Sequence, residues 1–146
     1  MGKEKEKKTL KKLRNMNRDA SDANLHDRVI NEIKNVLNQN HFDIYTNPGQ
    51  EKNAGIGNNY PDVIMTAKGT TKVRFILEIE TDASVTWEEA INQWKKYSNE
   101  IDATFYLVVP QQLLSKAVTL CQQAGINVRY ITYTINYLNN ITFNFD

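Results

Sequence analysis

A chain of 146 residues with an ordinary share of apolar (40%) and charged (24%) residues suits one globular domain with its own core. The single cysteine, Cys121, excludes an internal disulfide and a cysteine-based zinc site and fits a reducing, cytoplasmic setting; no run is apolar enough to span a membrane, and the charged start has no apolar segment behind it to make a secretory signal. Net charge is only +1, yet residues 1–20 hold eight Lys/Arg against three acids, +5, leaving −4 on the remainder.

That first stretch reads as a basic flexible arm, with Lys7, Lys8, Lys11, Lys12 and Arg14 as its candidate contacts to a phosphate backbone. A solvated tail that aids solubility is the alternative. Residues 21–146 read as one domain. Ser21 or Asp22 can cap a helix to about Asn40, whose stripe is Leu25, Val29, Ile30, Ile33, Val36 and Leu37. Glu32 borders that stripe and is positioned to lean over a sheet edge. His26 and His41 read as ordinary surface residues. His41 to Asn47 predicts a short strand, and the glycines of Pro48 to Asn59 predict a loop leading into Pro61-Asp62.

Tyr60 to Thr81 predicts a β-hairpin turning at Lys68-Gly69. Strand alternation puts Val73, Phe75, Leu77 and Ile79 on one face and Arg74, Ile76, Glu78 and Glu80 on the other. Antiparallel pairing brings Asp62 opposite the glutamates. Three carboxylates on a half-buried face repel one another and need a cation, a proton or an exit to water. Each also has a plainer reading: an Asx turn after Pro61, a wet sheet face, or a pair between Glu78 and Arg74.

Thr86 to Glu89 is a capping box. It opens a helix to about Glu100, with Trp87, Ala90, Ile91, Trp94 and Ile101 as the expected buried stripe. Ala103 to Val109 predicts a strand covered on both faces. Gln111 to Ala124 predicts a helix stopped by Gly125, with Cys121 as a buried structural thiol. Asn127 to Thr134 predicts another strand, and the tail from Ile135 an added edge strand. The expected class is therefore α/β, in the order αβββαβαβ, with a central mixed sheet flanked by helices on both faces.

From about Asp22 to Thr134, this order and these residues resemble the PD-(D/E)xK nuclease superfamily, with its restriction-endonuclease-like fold. Pro61-Asp62 matches the PD element. Glu78-Ile79-Glu80 stands where the family has (D/E)xK, with glutamate in place of lysine. Gln93-Trp94-Lys95-Lys96-Tyr97 matches the QxxxY element of the RecB-like branch, and Glu32 fits an extra acidic residue found on the first helix of many members. The resemblance implies a nuclease that uses one or two Mg²⁺ or Mn²⁺ ions on nucleic acid, DNA first. The implied metal ligands are Asp62, Glu78, the Ile79 carbonyl and Glu32. Glu80 is the implied base or second-metal ligand, and Gln93 and Tyr97 the positioning residues. Many members act as dimers, so a homodimer is a further expectation. Replacement of the family lysine by Glu80 keeps a second reading open: a catalytically inactive nuclease-fold module that binds nucleic acid or a protein partner.

Overall fold

The structure is a computed structural model that describes residues 22–49 and 51–145. The expected basic arm, with Lys7, Lys8, Lys11, Lys12 and Arg14, lies outside the described residues. The class is α/β. Helix α1 covers residues 22–36. Strands β1 (Phe42–Thr46), β2 (Val63–Ala67) and β3 (Val73–Ile79) follow. Helix α2 spans residues 87–100, β4 is Thr104–Pro110, α3 is Leu114–Ala124 behind a 3-10 turn at Gln111–Leu113, and β5 and β6 are Arg129–Ile135 and Ile141–Asn144.

The six strands form one mixed sheet in sequence order. β1–β2–β3 and β5–β6 pair antiparallel, while β3–β4–β5 run parallel. The parallel pairs need helical crossovers, and α2 and α3 supply them. Both pack on one face, around Ile76, Trp94, Phe105, Leu107 and Ala117. On the other face α1 lays Val29, Ile30 and Ile33 over Val63, Leu77, Ile79 and Val108. The sheet is therefore covered on both sides, which is why β4 reads as an almost unbroken apolar run.

Local signals explain the turns. Gly125 takes φ 69°, and the amides of Gly125 and Ile126 bond back to Gln122 and Cys121, closing α3 in a Schellman motif. Gly69 takes φ 74° in the β2–β3 turn, where a side chain is strained. α1 stops at residue 36, short of Asn40. Asn38 Oδ1 accepts the amides of Asn40 and His41, and that local turn outcompetes another helical turn. Val36, expected inside, is consequently exposed.

The larger departure is in α2. Ala90–Trp94 is a π turn, in which the Lys95 amide reaches back five residues to the Ala90 carbonyl. The extra residue shifts the phase of the helix. Ala90, Trp94, Tyr97 and Ile101 go under, while Trp87 and Ile91 remain 48% and 37% exposed, against the expected stripe.

Candidate active site

β3 carries Glu78, and Glu80 follows its last residue on the same α2 face, as alternation requires; both are buried. Asp62 is the residue just before β2. Its backbone amide donates to Glu78 Oε1 (3.0 Å), and its Oδ2 accepts the Ile79 amide (2.8 Å). The two acids thus clamp the end of the hairpin through each other's strand. Asn47 holds the approach. It is 2% exposed, and its Nδ2 donates to the carbonyls of Pro61 and Ala54, both at 2.7 Å. The Asn47 amide also bonds the Asp62 carbonyl.

Asp62, Glu78, Ile79 and Glu80 line a cavity of about 370 Å³ at the carboxyl end of β3. Asp22, Asp62, Glu78, Glu80 and Glu89 face it, with His26 as the one basic group. His26 is not the plain surface residue the sequence predicts. Its Nε2 donates to Asp62 Oδ2 (3.0 Å) and its Nδ1 to Asp27 Oδ1 (3.2 Å), so both ring nitrogens serve as donors, as in imidazolium. Burial alone would lower its pKa. The hydrogen bonds and negative charges of Asp62 and Asp27 outweigh it and lift the pKa to about 9. His41 is exposed and bonds Asn38.

Glu78 is buried in the cavity wall. Burial, then the charges of Asp62 and Glu80, push its carboxyl well above the usual range. Burial also pushes Glu80 up to about 8, against hydrogen bonds from Ser84 and Trp94 that favour the ionised form. Trp94 Nε1 donates to Glu80 Oε1 at 2.7 Å, and the Tyr133 hydroxyl donates to the Glu80 carbonyl at 2.7 Å. The glutamate in the expected lysine place is therefore held from side chain and backbone alike.

Gln93 lines the cavity. With its amide nitrogen turned to the acids it donates to Glu89 Oε2 (2.8 Å) and Glu78 Oε2 (3.3 Å). Tyr97 lies one turn further on and is buried behind it. Burial and the Glu78 charge raise the Tyr97 hydroxyl to about 12.

Some expected residues fall elsewhere. Glu32 is exposed and outside the cavity lining. It follows His26 by six residues, about 240° round the helix, so it faces away when His26 faces in. Arg74 does not pair with Glu78; it lies at the far end of β3, exposed. Asp62, Glu78 and Glu80 share the cavity, but among the described residues no group of three or more His, Cys, Asp or Glu is gathered as a metal cage. Glu80 Oε1 accepts the Trp94 indole N–H.

Four lining residues were not singled out from sequence. Asp22 and His26 are spaced i, i+4 on α1, the signal that would have paired them. Asp22 Oδ1 accepts the Thr81 hydroxyl at 2.6 Å. Thr81 itself is buried beside the glutamates. Glu89 was assigned to the capping box, but only half of that box forms: Thr86 Oγ1 accepts the Glu89 amide, while the Glu89 side chain turns to Gln93 and the cavity.

No protein-family model matches the chain, and no curated protein and no solved structure matches it.

Proposed function

We propose that the chain is a divalent-metal-dependent phosphodiesterase of nucleic acid, DNA first, of the PD-(D/E)xK type with the restriction-endonuclease-like fold. The observation that carries the reading is the reciprocal clamp of Asp62 and Glu78 at the mouth of a buried acidic cavity. The donor set suits Mg²⁺ or Mn²⁺. Such ions take oxygen ligands, and Mg²⁺ is commonly held by one or two carboxylates with waters and substrate phosphate completing the shell. A preassembled cage of three acids is therefore not required.

Bound there, the ion would supply charge neutralisation at the phosphoryl group and a more acidic water. The chain's own residues do the rest. Asp62 and Glu78 would hold the ion, with the Ile79 carbonyl a further oxygen. His26 and the Ile79 amide fix Asp62 Oδ2, and the Asp62 amide fixes Glu78 Oε1, so the carboxylates are oriented before ligand arrives. Glu80, pinned through Oε1 by Trp94, would accept a proton from water once ionised. Gln93 sets the Glu78 side chain from α2, with Tyr97 behind it. The basic arm joins the domain one residue before Asp22, in the cavity lining.

The test is cleavage of single-stranded DNA, duplex DNA and RNA with Mg²⁺ or Mn²⁺. Cleavage is expected, with Asp62→Asn and Glu78→Gln each lowering it by roughly 10² or more. The second reading, an inactive binding module, is favoured by glutamate in the lysine place. Binding without turnover on every substrate, in both metals, would select it.

A further inference from the structure

We infer that the protein has a second ligand site, for a phosphate group, at the opposite end of the sheet from the acidic cavity. A cavity of about 580 Å³ opens there, at the start of β3, β4 and β5. Lys72, Arg74 and Arg129 line it, with Asp102 as the one acid and Ser98 and Asn127 as neutral polar groups. The excess there is two positive charges, in a chain whose described part is acidic overall.

The three cations are not spent inside the protein. Among the described residues the ion pairs are His26–Asp27, His26–Asp62 and Lys68–Asp43. None involves Lys72, Arg74 or Arg129. α2 and α3 both end near this cavity, and cations commonly answer helix carboxyl ends. Here those ends are already closed by backbone. The Ile101 amide bonds the Tyr97 carbonyl, and Ile126 and Gly125 bond Cys121 and Gln122. Ser98 Oγ donates to the Asn127 carbonyl and ties the two ends together. The cations therefore remain available to a ligand.

Phosphate is the chemistry that fits. Two guanidinium groups offer planar pairs of donors matched to phosphate oxygens, and lysine adds a compact charge. The volume falls within the range of small-molecule sites and accepts a group up to nucleotide size. The site is not part of the acidic one. Arg74 and Glu80 are six residues apart on one strand line, about 20 Å. The phosphate could belong to a nucleic-acid backbone or to a free phosphorylated compound, and the two sources separate in the experiment.

The full chain, free of divalent metal, is titrated with pyrophosphate and with a single-stranded decanucleotide while backbone amide resonances are followed. Site-resolved shifts are needed because residues 1–20 also carry a net positive charge. The expected result is a saturable shift of Arg74, Thr104 and Arg129 amides, with little movement at Glu78 to Glu80. Arg74→Gln with Arg129→Gln should weaken that titration by about tenfold or more, and Asp62→Asn should leave it unchanged. Equal loss for the oligonucleotide identifies a backbone phosphate. Loss for pyrophosphate alone identifies a free phosphorylated ligand. No saturable shift at these amides in the unmutated chain up to about 10 mM pyrophosphate overturns the site. So does a double variant that melts earlier but binds as before, since the arginines then serve only the helix ends.

Discussion

Asp62 shows how much of this site depends on single hydrogen bonds. Its Oδ2 serves His26 and Ile79, and its own amide serves Glu78. Asn47 fixes the peptide before it. Asn47→Ala leaves the buried Pro61 carbonyl and the half-buried Ala54 carbonyl without their donor. It should cost about 1–3 kcal/mol, measured as a lower denaturant midpoint with unchanged slope. Glu80 tests a different point. Glu80→Gln keeps the shape and mimics the protonated acid that the fold favours up to about pH 8, so the metal-free fold should hold at neutral pH and gain stability above pH 8, where the parent carries the buried charge. Cleavage should nonetheless fall by roughly 10² or more. Unchanged cleavage would make Glu80 a bystander.

The π turn in α2 decides which side chains reach the acids. One extra residue per turn sends Trp94 to Glu80 and leaves Trp87 and Ile91 facing water. The two tryptophans of one helix therefore differ sharply in energetic weight. Trp94→Ala should cost about 3–5 kcal/mol, from the cavity it leaves and the orphaned Glu80 oxygen. Trp87→Ala should cost less than about 1 kcal/mol. Thermal melts of the two variants check this, and equal losses would mean that α2 is not set in this register. β6 has a simpler role. It pairs with β5 and brings Phe143 against Tyr133, whose hydroxyl holds the Glu80 carbonyl.

For the molecule as a whole, the buried acids and His26 make stability depend on pH in one direction. Glu80 moves from an ordinary 4.5 to about 8 in the fold. Its folded form holds the proton more tightly, so its contribution is complete below 4.5 and is lost as pH rises to about 8. His26 moves from 6.5 to about 9, and its contribution is complete below 6.5 and lost as pH rises through 9. Glu78 is shifted in the same sense as Glu80. Without divalent metal, the melting temperature should therefore fall steadily from about pH 5 to pH 9. Scanning calorimetry in metal-free buffers measures it, and a melting temperature that climbs over that interval would mean the acids are not enclosed as described. Among the described residues no helix is long and apolar enough to cross a membrane.

Much of this was readable from local pattern. Period-two alternation placed Glu78 and Glu80 on one face and Leu77 and Ile79 on the other, because strand geometry repeats within a few residues. The Lys68-Gly69 turn, the Gly125 stop and the apolar strand before Pro110 are signals of the same short range. The α/β class follows from those periods in order. What local pattern does not carry is contact between distant segments. His26 meets Asp62 across 36 positions, and Asp22 meets Thr81 across 59. Helical period alone gives two neighbouring faces to α1, and only packing on the sheet chose the face with His26 over the one with Glu32. The π turn has no signature in residue type; it exists because the Trp94 indole and the Tyr97 ring both gain from burial against the sheet, and Trp94 gains the Glu80 oxygen as well. Glu89 satisfied a capping pattern on paper, yet Gln93 and the cavity hold its side chain in the folded chain. Short-range sterics thus settled the strands and the facing of Asp62 and Glu78, while long-range packing and charge settled the register of α2 and which further groups surround the acids.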